Sequence, residues 1–127
     1  MLIKSLNQTR VKSSTASKAM LAIDWNQLTQ LSEGNREFEK ELIKLFFVET
    51  KTLLTLLADA IALQDIRQVE YIGHQLKGSS GNMGFRAMSQ VAGQLEQQAR
   101  QQNLSLASSL LQELTQWVLE IQNFIEW

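Results

Sequence analysis

Proline is absent from all 127 residues, so nothing in the chain interrupts a helix by removing an amide donor or clashing with the preceding turn. Four long stretches use that freedom, repeating apolar residues at helical spacing. The first spans about residues 36–63, with Phe38, Leu42, Leu45, Phe46, Leu53, Leu56, Leu57 and Ala60 expected on one broad face. The second spans 65–83 and starts at Asp65, whose charge suits the positive end of a helix. The third spans 85–101, with a narrow stripe of Met88, Val91, Ala92, Leu95 and Ala99. The fourth spans 104–126, carrying Leu110, Leu114, Trp117, Val118, Ile121 and Ile125. Breaks near Gln64, Gly84 and Asn103 are short, which makes consecutive helices antiparallel neighbours. Upstream, Asp24 reads as the N-cap of a short helix through Leu31, closed by Gly34-Asn35. No strand pattern competes. The expected fold is all-α: an antiparallel up-down four-helix bundle with a short N-terminal helical lid.

Charge divides the chain in two. Residues 1–20 hold Lys4, Arg10, Lys12 and Lys18 and no acid, whereas residues 21–127 hold eight basic and thirteen acidic side chains. The leader is polar, basic and aperiodic, and reads as a linker or disordered tail ahead of a single domain over 21–127. The acidic body lacks the basic footprint of a nucleic-acid binder. No apolar window approaches the ~18 residues of a membrane span, and the N-terminus shows no signal-peptide pattern. One histidine and no cysteine argue against a zinc site or thiol chemistry. A cytoplasmic monomer without its own metal or cofactor is expected.

The single histidine lies in Tyr71-Ile72-Gly73-His74-Gln75-Leu76-Lys77-Gly78-Ser79-Ser80-Gly81-Asn82-Met83-Gly84. On a helical wheel centred on Leu76, the residues Val69, Ile72, Gly73, Ser80 and Met83 fall within about 60° of it and form the buried face. His74, Gly78 and Gly81 lie at about 140–200°, with Lys77 at about 100°, so they share the solvent side with Arg67 and Tyr71. Taken singly, a surface histidine and a solvated lysine need no function. The glycines change the reading. Each costs roughly 1 kcal/mol relative to alanine in a helix interior, and close packing accounts only for the inward-facing Gly73. Gly78 and Gly81 face out, where the approach of a second molecule would use the bare backbone. Imidazole is a nucleophile near neutral pH, and phosphoryl transfer needs mainly positioning and charge neutralisation, which Lys77 one turn away can supply.

Heights along the helices locate one more residue. His74 lies about 15 Å before the Gly84 turn and Glu96 about 18 Å after it, so the two are nearly level on antiparallel neighbours. A carboxylate there could accept the Nδ1 proton and leave Nε2 free to attack. The plain alternative is a surface pair of Glu96 with Arg100, worth only about 0.3–0.5 kcal/mol.

The run His74-Gln75-Leu76-Lys77-Gly78-Ser79-Ser80 with Gly84 downstream, then Leu95-Glu96, resembles the histidine phosphotransfer (HPt) domain of two-component phosphorelays. Glu41-Leu42-Ile43-Lys44-Leu45-Phe46 and the helix start at Asp65 resemble the rest of the family pattern, from about Ile23 to the C-terminus. The resemblance implies that His74 takes a phosphoryl group from an aspartate on one receiver domain and returns it to another. It implies that Lys77 assists, that Gly78 leaves room for the receiver, and that Glu96 orients the imidazole. Arg100 matches a basic residue near the site in some members, and with Tyr71, Gly78 and Gly81 completes the expected partner surface. Gly73 departs mildly, since alanine is usual there. Response-regulator receivers are the implied partners, with a hybrid sensor histidine kinase as a further candidate and Mg²⁺ arriving on the receiver. No autokinase activity is expected, because no glycine-rich nucleotide loop is present. Two rival readings are a chemotaxis-type phosphotransfer domain charged directly from ATP by a separate kinase core, and a helical interaction module that no longer uses His74.

Overall fold

The computed structural model describes residues 22–125. The basic leader and the end of the fourth stretch, at Glu126, lie outside the described residues. Five helices account for most of the rest: α1 (Trp25–Ser32), α2 (Arg36–Ala62), α3 (Ile66–Asn82), α4 (Arg86–Arg100) and α5 (Ala107–Phe124). Their ends follow local chemistry. Asp24 Oδ1 accepts from the Gln27 amide, Asn35 Oδ1 from Phe38, and Asp65 Oδ1 from Gln68, each taking up a donor that a helix start leaves unpaired. Left-handed residues occur in all four connections: Glu33 and Gly34 after α1, Gln64 after α2, Gly84 after α3 and Gln102 after α4.

The four long helices touch in a ring, α2 against α3, α3 against α4, α4 against α5 and α5 against α2, while α1 leans on α2 and α3. The α3–α4 pair is the most extensive of these contacts. The expected apolar stripe of α4 is buried in full, as are Leu110, Leu114, Val118, Ile121 and Ile125 of the fourth stretch. On α3 the wheel also holds, with Val69, Ile72, Gly73, Ser80 and Met83 inside and Arg67, Tyr71, His74, Lys77, Gly78 and Gly81 outside.

The face assigned to α2 needs correction. Phe38, Leu45 and Leu56 are 46%, 56% and 44% exposed, and the buried row is Ile43, Phe46, Phe47, Thr50, Leu54, Leu57 and Ala60. Leu42 and Leu53 are only partly buried, with Ile43 and Leu54 inside in their place. The buried arc is thus turned by up to one residue, about 100°. Apolar side chains surround more than half of α2, so its own periodicity cannot choose between arcs; contact with α3 and α5 does.

Phe85 locks the α3–α4 turn. It is fully buried against Phe46 and Phe47, with ring centroids 5.0 and 6.1 Å away. Residues 22–24 run alongside this turn, where the Asp24 amide donates to the Gly84 carbonyl at 2.7 Å and the Arg86 amide to the Ala22 carbonyl at 3.0 Å. Gly84 has φ +82°, and a Cβ there would lie 2.6 Å from the Asp24 carbonyl oxygen. Both the dihedral and the space therefore require glycine. Gly84→Ala is expected to lower stability by about 2 kcal/mol, and a denaturant midpoint equal to wild type would refute that assignment.

Candidate functional site

His74, Lys77 and Glu96 converge on the outer edge of the α3–α4 seam. The seam is close because Gly73 has no side chain: a Cβ there would lie 3.0 Å from the Glu96 amide nitrogen and 3.3 Å from the Ala92 carbonyl. The Glu96 backbone thus sits directly beside the start of the histidine turn. Its carboxylate bends outward under the imidazole, and its side chain is only 5% exposed against 67% for His74. Glu96 is consequently buried rather than a plain surface residue, because a helix seam this tight covers its own edges.

Three cationic or donating groups meet on that one carboxylate. His74 Nδ1 lies 2.8 Å from Oε2, Lys77 Nζ 3.0 Å from Oε1, and an Arg100 terminal nitrogen 2.8 Å from Oε2. Burial alone would push the Glu96 carboxyl up. Hydrogen bonds from Lys77 and His74, together with their charges, outweigh it and hold the carboxyl below the usual carboxylate range. An ionised carboxylate only accepts hydrogen bonds, so His74 Nδ1 must be the donor. In the neutral ring the lone pair then sits on Nε2. The arrangement is a solvent-exposed imidazole in a fixed tautomer, with a lysine one helical turn away, and can act chemically as a nucleophile.

The structure brings His74, Lys77, Glu96 and Arg100 together as the sequence indicates, and the Glu96–Arg100 pair coexists with the Glu96–His74 bond instead of replacing it. Arg100 is less free than a docking cation would be, since its Nε also lies 3.2 Å from Glu70 Oε2. Tyr71 is 57% exposed on the α3 surface, one helical turn before His74. Gly78 faces open space, with no atom within 4 Å of a Cβ placed on it. Gly81 differs: its Cβ would meet Ser89 Oγ at 3.3 Å, and Ser89 donates to the Lys77 carbonyl at 3.0 Å. Packing against α4 therefore explains Gly81 in part, contrary to the reading of both glycines as purely outward gaps. Sequence reasoning missed Glu70, Ser89 and Gly93. The height match that finds Glu96 opposite His74 would have found all three, set opposite Arg100, Gly81 and Lys77.

No group of three or more histidine, cysteine or acidic side chains able to hold a metal occurs among the described residues. None of the described helices is long and apolar enough to cross a membrane.

A family model described as the Hpt domain matches residues 41–124. The chain is similar to the phosphorelay intermediate protein rdeA of Dictyostelium discoideum, 30% identical over 98 residues that cover 77% of this chain and 39% of that protein. It is equally similar to histidine-containing phosphotransfer protein 1 of Arabidopsis thaliana, 30% identical over 103 residues, 79% of this chain and 67% of the relative. The chain thus spans well under half of the Dictyostelium protein and about two thirds of the plant one. Among solved structures, histidine-containing phosphotransfer protein B (HptB) from Pseudomonas aeruginosa PAO1 superposes with a TM-score of 0.75 at 24% identity, covering 80% of this chain and 88% of that one. Yeast YPD1P gives a TM-score of 0.59 at 22% identity, over 72% and 55% of the two chains. These two likenesses concern the fold alone.

Proposed function

The chain belongs to the Hpt domain family, and on that premise we propose that it is a phosphorelay intermediate carrying a phosphoryl group on His74 between two receiver aspartates. The observation that carries this reading is the bond from His74 Nδ1 to the buried Glu96 carboxylate, which leaves Nε2 exposed as the nucleophile. In the first transfer the Nε2 lone pair attacks the phosphorus of an aspartyl phosphate. The N–P bond forms as the P–O bond to the aspartyl carboxylate breaks, and the aspartate leaves ionised. Nδ1 keeps its proton, and Glu96 offsets the positive charge that the phosphorylated ring gains. Lys77 can leave Glu96 Oε1 for the incoming phosphoryl oxygens, because Arg100 remains on the carboxylate. The second receiver reverses these bond changes. Mg²⁺ belongs to the receiver in this scheme, and the carrier turns over nothing by itself.

The same reading makes the four long helices an up-down antiparallel bundle with α1 as a lid at the α3–α4 turn. Their ring of contacts and short connections support it. The receiver would cover the exposed strip of α3 from Tyr71 through His74 to Gly78, and Arg100 would act at its margin through Glu96. A monomer in the cytoplasm suits such an exchange, since the strip must stay free for successive partners.

The deciding experiment offers the full chain two donors: receiver domains charged with radiolabelled acetyl phosphate, and a histidine-kinase core with labelled ATP but no receiver. Acid-labile label on the chain from the receivers alone is expected. Label taken directly from the kinase core would favour the chemotaxis-type alternative, and label from neither would leave an interaction module. A docking role for Gly78 is tested alongside. With open space around its Cβ position, Gly78→Gln should fold at least as well as wild type, since glutamine is the better helix former. Receiver affinity should nevertheless drop about tenfold, and titration calorimetry showing unchanged affinity would remove Gly78 from the interface.

A further inference from the structure

Successive pairs join α3 to α4 with opposite chain directions: Glu70 with Arg100, His74 with Glu96, Lys77 with Gly93, and Gly81 with Ser89. Gly93 is the α4 glycine of this series, and it sits beneath the Lys77 side chain. A Cβ on it would lie 3.3 Å from Lys77 Cδ and 3.9 Å from Cγ. Its φ lies outside the left-handed region, so its backbone does not call for glycine. In an α-helix interior glycine weakens the helix, and no helix end explains it, since α4 runs from Arg86 to Arg100. The bare backbone instead forms a trough. The Lys77 stem lies across it and delivers Nζ to Glu96 Oε1, 3.0 Å away and one turn further along α4.

We propose that Gly93 is a positioning residue for phosphoryl transfer, its missing side chain forming the track that keeps the Lys77 ammonium beside His74. A lysine stem has four carbons and many rotamers, and a free one would spread its charge over a wide arc of solvent. Lying in the trough, it keeps the ammonium on the same carboxylate that holds His74 Nδ1 before any receiver arrives. The inference rests on His74 being the phosphoryl carrier, but the contact between Gly93 and Lys77 can be tested without any transfer.

The test uses the full chain in five forms: wild type, Gly93→Ala, Gly93→Leu, Lys77→Ala, and Lys77→Ala combined with Gly93→Leu. Gly93→Ala should melt higher than wild type, because alanine favours the helix. Gly93→Leu should slow transfer from a charged receiver about as much as Lys77→Ala does, roughly tenfold, the scale of losing one hydrogen bond to a charged group. In the combined variant the leucine should add no further loss, since the side chain it displaces is already gone. The Glu96 carboxyl, followed by carbon NMR, should titrate closer to the ordinary carboxylate range in Gly93→Leu and in Lys77→Ala, and to a smaller degree in Gly93→Ala. Wild-type transfer and an unmoved Glu96 titration in Gly93→Leu would overturn the proposal. So would an equal slowing by leucine in the absence of Lys77, which would mark general damage to α4. Should Gly93→Leu fail to fold, the same two readouts on Gly93→Ala decide. If wild type takes no label from any receiver, the phosphorelay reading fails, while the titration still decides whether Gly93 places Lys77.

Discussion

His74→Gln is expected to accept no phosphoryl label from any charged receiver, while remaining folded. Its side chain is 67% exposed, and a change on the solvent side of a helix usually moves stability by less than ~1 kcal/mol. Glutamine has the reach to keep one hydrogen bond to Glu96 but offers no basic nitrogen, so it conserves the contact and removes the nucleophile. The chain has no second histidine and no cysteine to take over. The expected result is thus complete loss of acid-labile phosphate, with a melting temperature within a few degrees of wild type. Retention of label would place the phosphoryl group on another side chain and undo the assignment of the site.

What the sequence could reveal depended on how many neighbours each residue answers to. Caps answer to three or four residues on, so Asp24 and Asp65 could be read directly. The α3 face was also legible, because polar residues and glycines confine its apolar arc to one side. On α2 the leucines and phenylalanines extend around the helix, and only the partners on either side reveal that Ile43, Phe47 and Leu54 are inside while Leu45 and Leu56 are not. The site shows the same division. Its nucleophile and cation are three residues apart on one helix, and its carboxylate followed from rise per residue across a short turn. The burial of Glu96 did not follow, nor did its hold on three donors. Both come from the tight approach at Gly73, a distance between backbones that no single-helix pattern encodes.

That shared carboxylate makes Glu96→Ala the most damaging change outside the histidine. Removing it frees Nδ1 from its acceptor, so the imidazole can turn and can move its proton to Nε2, the atom that must attack. It also releases Lys77 Nζ, held at 3.0 Å, and the Arg100 nitrogen, held at 2.8 Å. Loss of the orienting partner of a metal-bound histidine costs about 10–100-fold in activity, and a slowing of that order is expected for this imidazole, which Glu96 orients in the same way. Glu96→Gln should retain more, because its amide oxygen still accepts from Nδ1. Stability should suffer less than the burial of Glu96 suggests, since His74, Lys77 and Arg100 are all at least 46% exposed and can turn to water.

The pH dependence separates the electrostatic part of this role from the packing part. In the folded chain the Glu96 carboxyl lies below its ordinary value of 4.5. Its ionised form therefore contributes stability that is fully present above about pH 4.5 and is lost as pH falls through the lowered folded value. Wild type should lose stability through that acid window more steeply than Glu96→Gln, which has no carboxyl to protonate, and the two curves should run parallel at higher pH. Matching acid slopes would mean that Lys77 and His74 do not hold the Glu96 carboxyl below its ordinary value. The carboxylate would still be ionised near neutral pH and would still accept from His74 Nδ1, but its role would then reduce to orienting the ring, with no electrostatic coupling to Lys77 and His74 behind it.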